Sequence, residues 1–260
     1  MSSIEELAVL DGQKGCSNCG GSIPAESRFC KYCGSIQNTV DVLLSENKWA
    51  NTKQVAFFFV FDAVICCVAN FIDDFKTFAW SVTFTALLAI VAVTFFCDNW
   101  SVNKTLLVWR NFSLPKLLGY CSLAALASII VHFFATWLNR SLFSEEFYYY
   151  PFYSKYSYGK ELLILFVAVM PAVFEEIGYR GFLLQKLLSI VDKKQAIFIS
   201  AFLFAIIHIS FISLVWLIPF ALALAYIRLK EDTLWYGICI HFTFNFTACI
   251  IELMAFNHSL

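Results

Sequence analysis

Charge is scarce in this chain. Only 14% of its 260 residues are Asp, Glu, Lys or Arg, and the formal net charge is -1, whereas an average soluble domain is about a quarter charged. With 60% of the residues hydrophobic, a soluble fold of this length lacks the interior to hide its apolar side chains, so lipid is the solvent that fits. The near-zero net charge argues against a strongly acidic or basic partner, and no basic stripe suited to nucleic acid is present. A secretory signal is also missing: the first long apolar run begins near Val55, too far in for an h-region, and no small-residue cleavage site accompanies it. There is no repeat of 20–50 residues. There is no His-Glu-x-x-His motif either, which excludes an ordinary zincin.

What is present divides unevenly. Residues 1–54 are polar and hold four of the ten cysteines, while 55–256 is a series of apolar runs with short polar breaks. A membrane helix needs about 20 mainly apolar residues. The runs 55–72, 79–97, 117–138, 161–188, 195–209, 211–229 and 233–256 are the candidates, so about seven spans are expected, the fifth being short. Placing the N-terminus inside puts thirteen Lys and Arg on inner segments and four on outer ones (Lys76, Arg140, Lys155 and Lys160). That bias predicts a multi-pass protein with a cytoplasmic N-terminal segment. The outer loop 139–160 carries Tyr148, Tyr149, Tyr150, Phe152 and Tyr153, which reads as an interfacial aromatic belt.

Cys16-Ser-Asn-Cys19 and Cys30-Lys-Tyr-Cys33 form two Cys-x-x-Cys pairs ten residues apart. Four thiolates make a closed tetrahedral zinc site, and Gly20 and Gly34 after each pair let the backbone turn back. A segment this small has too little core to fold without such a staple. Two disulfides are the competing reading, disfavoured in a reducing compartment. The expected cofactor is therefore a structural Zn2+ ion in a ribbon that anchors the N-terminus or recruits a protein partner. The other six cysteines lie in or beside apolar runs and are read as small hydrophobes.

Ionisable groups inside lipid cost at least about 2.5 kcal/mol each, so those that occur call for a reason. The fourth run contains Glu175, Glu176 and Arg180, the fifth contains Phe204 and His208, and the seventh contains His241 and Asn245. Counted from the inner ends of their runs, Glu175 and His208 each lie 13 residues in, and Asn245 lies 12 in, or about 20 Å along a helix. Glu176 and Arg180 are four apart, as are His241 and Asn245, so each pair shares a helix face. A carboxylate with an imidazole can hold a water and take its proton. An imidazole with a carboxamide can donate to a developing oxyanion. These are the parts of a peptide hydrolase. The alternatives are an ion-coupled transporter, which the same residues permit, and a non-catalytic membrane scaffold or immunity protein that recruits a partner through its zinc ribbon. Asp62 and His132 are lone polar residues in other runs and are left outside the candidate site.

Taken together, Glu175-Glu176-x-x-x-Arg180, Phe204-x-x-x-His208 and His241-x-x-x-Asn245 resemble the three motifs of the CPBP family, which groups CAAX prenyl protease 2, the bacteriocin-processing Abi proteins and lysostaphin resistance protein A-like proteins. The resemblance implies an intramembrane endopeptidase acting on membrane-associated or lipidated peptides. It gives Glu175 the role of general base, acting with His208 on the water. It makes His241 and Asn245 the oxyanion site, Glu176 and Arg180 their support, and Phe204 a wall of the pocket. Metal-dependent and metal-independent mechanisms both remain open, since Glu175, His208 and His241 are also suitable zinc ligands. The resulting expectation is an all-α polytopic membrane helix bundle preceded by a zinc ribbon. Its parts are a tail at 1–15, the ribbon at 16–34, a linker at 35–54, two spans within 55–114, a protease core at 115–256 and a tail at 257–260.

Overall fold

The computed structural model describes residues 13–24, 27, 29–35, 37, 39–109, 112–143 and 148–257. Most of the two expected tails lies outside them. The chain divides into two compact units, Met1–Lys53 and Gln54–Leu260.

In the first unit, β1 (Gln13–Gly15) pairs antiparallel with β2 (Ser22–Pro24), Lys14 opposite Ile23. Two knuckles of the same design follow each other. Gly20 N–H returns to the Cys16 carbonyl and Gly34 N–H to the Cys30 carbonyl, at 2.9 and 2.8 Å. Gly20 and Gly34 have φ of +71° and +72°, a left-handed conformation that glycine adopts without steric cost. The ribbon starts before the expected residue 16, because β1 belongs to it, and it extends past 34 to Gln37, whose amide reaches Ser35 and Cys16.

Seven longer helices follow: α1 (Thr39–Phe71), α2 (Phe78–Asp98), α3 (Leu114–Phe143), α4 (Gly159–Leu187), α5 (Lys193–Ile206), α6 (Leu214–Glu231) and α7 (Trp235–Asn257). α1 already begins at Thr39, so most of the expected linker 35–54 is helical. Among the described residues, five helices are long and apolar enough to cross a membrane: Asn47–Phe71, Phe78–Asp98, Leu114–Leu142, Gly159–Leu187 and Trp235–Phe256. The expected count of seven is not met among the described residues, because α5 has only 14 residues and the 18 of α6 include the charged Arg228, Lys230 and Glu231. At 1.5 Å per residue they reach about 21 and 27 Å, short of a hydrocarbon core of about 30 Å. The chain turns between them at 207–213, with Ile209 at φ +51°, and Pro219 interrupts the α6 ladder.

α4 is the hub. α2, α5, α6 and α7 all pack on it, α7 also packs on α3, and α5 pairs with α6. Glu176, Arg180, Phe182, Leu183 and Leu184 on α4 are fully enclosed, whereas Phe57, Phe61, Leu123 and Phe133 on α1 and α3 are exposed. In lipid those outer side chains meet acyl chains, so their exposure costs nothing. α4 is not a regular helix: Ile164–Val169 and Glu176–Leu183 are π-helical. The aromatic stretch expected as an interfacial belt includes a short helical turn, Tyr150–Tyr153. Tyr149 is exposed while Tyr153 is buried, and the Tyr150 N–H donates to the Glu252 carboxylate of α7.

Candidate active site and metal centre

The second π segment begins at Glu176, the residue after Glu175. Such wide turns are rare and concentrate at functional sites. This one puts Glu176 and Arg180 inside the bundle, both fully buried, with Arg180 Nη1 2.9 Å from Glu176 Oε1. The same Oε1 lies 3.0 Å from His241 Nδ1 on α7. With Nδ1–H donating there, the ring's other nitrogen is fixed in direction, and Nε2 lies 3.8 Å from Glu175 Oε2. His241 thus stands between two carboxylates. Arg180 brings a guanidinium to the Glu176 carboxylate from the side away from His241 Nε2. Arg180 also lies over the Phe204 ring, its guanidinium carbon 4.2 Å from the ring centre, in a cation–π contact that a buried guanidinium favours.

Gly237 makes the approach of α7 and α4 feasible. A Cβ there would sit 2.8 Å from Glu176 Oε2, so any side chain would displace the buried acid. Asn245, one turn beyond His241, donates from Nδ2 to the Val167 carbonyl in the first π segment at 2.9 Å. That contact anchors one N–H of the carboxamide and orients the other.

His208 is placed differently from its partners. It lies just past the end of α5, is exposed, and its Nδ1 is 2.9 Å from the Phe204 carbonyl. Phe204 joins it to the cluster, with ring centres 5.0 Å from His208 and 6.0 Å from His241. The imidazole nearest Glu175 is therefore His241, not the His208 expected from the sequence.

Glu175 is the one candidate side chain of the three motifs that lines a partly open cavity of about 220 Å³ between α1, α2 and α4. Its walls include Phe58, Ala92, Phe166, Phe174 and Ile207, with Asp62, Cys66, Thr85 and Tyr179 as the polar members. The side chain of Glu175 is one-third exposed, so it reaches both the cavity and His241. Asp62, Tyr179 and Gly237 are absent from the expected site. Of these only Asp62 left a signal in the sequence, as a charge within an apolar run.

A structural zinc was expected in the ribbon, and a metal at Glu175, His208 and His241 was left undecided. Among the described residues, the sole group of three or more His, Cys, Asp or Glu side chains with converging ligand atoms is Cys16, Cys19, Cys30 and Cys33, all within 4.8 Å of one another. Cys16–Cys33 and Cys19–Cys30 are each separated by 3.6 Å between sulfurs, close to the roughly 3.8 Å edge of a tetrahedron with 2.3 Å zinc–sulfur bonds. The Ser35 hydroxyl, shared by Cys16 and Cys33, favours their thiolates and brings Cys16 down to about 5. The Gly21 backbone helps Cys19 ionise, yet the neighbouring sulfurs push it up to about 12. Four thiolates at this separation need a cation, and the donor set fits structural zinc. Glu175, His208 and His241 do not form a converging set, so the geometry does not fit a catalytic metal there.

Residues 159–247 match the family model described as Type II CAAX prenyl endopeptidase Rce1-like. The match takes in every motif residue from Glu175 to Asn245 and starts at Gly159, later than the core boundary of 115 expected from the sequence. No curated protein and no solved structure matches the chain. Residues 159–247, which run through α4 to α7 and hold the buried Glu–Arg–His cluster, are thus similar to the Rce1-like type II CAAX prenyl endopeptidases.

Proposed function

We propose that this protein is an intramembrane endopeptidase that cleaves CAAX-type, membrane-associated or lipidated peptides by a metal-independent glutamate mechanism. The observation that carries the reading is the position of Glu175, which faces a cavity large enough for water and also the imidazole of His241. Glu175 takes a proton from a cavity water as the water oxygen bonds to the scissile carbonyl carbon. The charge that develops on the carbonyl oxygen is met by His241, steered by Glu176, and by the free N–H of Asn245. When the C–N bond breaks, Glu175 returns the proton to the leaving amine. Glu176 and Arg180 hold His241 in place, and Phe204 carries the Arg180 cation on its face. His208, at the turn after α5, contacts the incoming water or peptide from the side of Ile207. The Lys and Arg bias supports a ribbon on the cytoplasmic side of the cell membrane, available to a protein partner.

The test is cleavage of a lipidated CAAX peptide and of a membrane-peptide library by the detergent-solubilised full chain. Glu175→Gln is expected to abolish turnover, and His208→Ala to lower it, with substrate binding retained. Wild-type cleavage by folded Glu175→Gln would refute the mechanism.

A further inference from the structure

The cavity beside Glu175 has features that the chemistry above does not use. One end is closed by Phe58 of α1, which packs on Tyr179 with ring centres 5.4 Å apart and stands 2.9 Å from where a Cβ on Gly178 would lie. Ala89 and Ala92 of α2, both buried, line the cavity and leave room that longer side chains would fill. The volume of about 220 Å³ exceeds the roughly 150 Å³ that admits a benzene ring. It falls below the roughly 300 Å³ from which pockets hold whole drug-sized ligands. The space therefore suits one side chain rather than an entire prenyl or acyl chain. Its walls are mainly apolar, but two polar groups in it are unanswered. The residue Asp62 is 6% exposed, and among the described residues no Lys, Arg or His forms an ion pair with it or lines the cavity. Tyr179 is 2% exposed, and its hydroxyl has no hydrogen-bond partner. Thr85, by contrast, already donates to the Ser81 carbonyl at 2.8 Å. Asp62 follows Phe58 by one turn of α1, and Glu175 precedes Tyr179 by one turn of α4, so both acids stand a turn away from the closed end.

We propose that this cavity is a specificity pocket for one substrate side chain beside the scissile bond, an apolar stem or ring that ends in a hydrogen-bond donor and is recognised by Asp62 and Tyr179. The inference rests on Glu175 being the base, and it narrows the substrate class of that site. A buried polar group without a partner is costly. A pocket built to bond a hydroxyl or amine therefore rejects the analogue that lacks it far more strongly than an apolar pocket separates substrates by size. A phenol entering here donates to the Asp62 carboxyl and accepts from the Tyr179 hydroxyl, and an ammonium donates to both. Glu175 then stays free to hold the water. Asp62, Ala89 and Ala92 lie outside the matched residues 159–247, so the selectivity is set by helices that the family match does not include.

The experiment measures kcat/KM of the full chain on a cleaved membrane peptide in which each residue flanking the scissile bond is in turn Tyr, Phe, Lys, norleucine or Ala. At one position Tyr is expected to exceed Phe, or Lys to exceed norleucine, by at least about tenfold. Asp62→Leu is expected to bring that ratio close to one, and Ala89→Leu to shift the preference at the same position toward Ala. No donor preference at any flanking position overturns the proposal, and so does a ratio unchanged in folded Asp62→Leu. A rate that follows only the length of an attached prenyl or acyl chain gives the cavity to lipid and overturns it too. If Asp62→Leu does not fold, the wild-type ratios and Ala89→Leu decide, an unshifted preference in Ala89→Leu placing the side chain elsewhere. Full activity in Glu175→Gln, or no cleavage by the wild type, overturns the base assignment and this inference together. Turnover lost in Glu175→Gln, with no donor preference in the wild type, overturns this inference alone.

Discussion

Gly237 shows what a single residue contributes to the site. The Glu176 carboxylate is fixed by Arg180 at 2.9 Å and His241 at 3.0 Å, and a Cβ on Gly237 would press on it from 2.8 Å. The acid has no free space to move into, so Gly237→Ala is expected to cost about 1–3 kcal/mol, as overpacking does. Differential scanning calorimetry would show the loss, together with reduced cleavage as His241 shifts. Asn245→Ala separates two roles. Losing a hydrogen bond between membrane helices costs only about 0.6 kcal/mol, while losing an oxyanion donor costs about 10²–10³ in kcat. Nearly unchanged melting with kcat down about a hundredfold is the expected pair of results, and intact kcat would leave Asn245 as a tie to Val167 alone. The charged members of the site were legible in the sequence because Glu175, Glu176, Arg180 and His241 stand out against apolar neighbours. Gly237 was not, since a small residue in an apolar helix looks the same whether or not an acid lies against it. Asp62 was visible, but its neighbours were not, because nothing in the sequence says which face α1 turns toward α4.

At the scale of elements, hydropathy located the apolar part of each longer helix but missed the polar start of α1 from Thr39 and misjudged α5 and α6 as spans. Apolar runs at 195–209 and 211–229 looked like spans because composition does not show where a helix stops. The turn at 207–213 removes residues from both. The π segments of α4 were equally hidden, since a widened turn needs no special residue type. α5 enters beside Lys193, and α6 ends beside Arg228 and Lys230. The pair therefore reads as a re-entrant hairpin that enters and leaves on one face of the bilayer, with its tip about 21 Å deep. Such a hairpin leaves the sidedness of α7 as a seven-span arrangement would have it. In a background without the bundle's native cysteines, Phe211→Cys at the tip is expected to resist a bulky impermeant maleimide from both sides. Lys193→Cys should be labelled from one face only. Labelling of Phe211→Cys from the opposite face would show that the hairpin crosses.

At the scale of the whole molecule, two units answer to two different forces. The division was legible at once, because cysteine pairs in a polar stretch and long apolar runs are compositional signals that need no knowledge of contacts. The ribbon has a core of only Cys16, Ile23 and Cys30, too little apolar burial to fold a segment of this size, so its fold should depend on the metal. The bundle draws its stability from packing within lipid and holds no second converging set of metal ligands among the described residues. A strong chelator is therefore expected to expose residues 13–37 to protease while the helical circular dichroism of α1 to α7 and the rate of peptide cleavage persist. Chelation alone does not distinguish a metal at Glu175 from one whose loss acts through the ribbon, so the same measurement belongs on a chain in which Cys16, Cys19, Cys30 and Cys33 are all serine. If that chain cleaves its peptide and the chelator leaves the rate alone, the water is activated by Glu175 without a cation. If the chelator stops it, a metal must sit among Glu175, His208 and His241, and α5 must then swing His208 inward from the position it holds after Ile206.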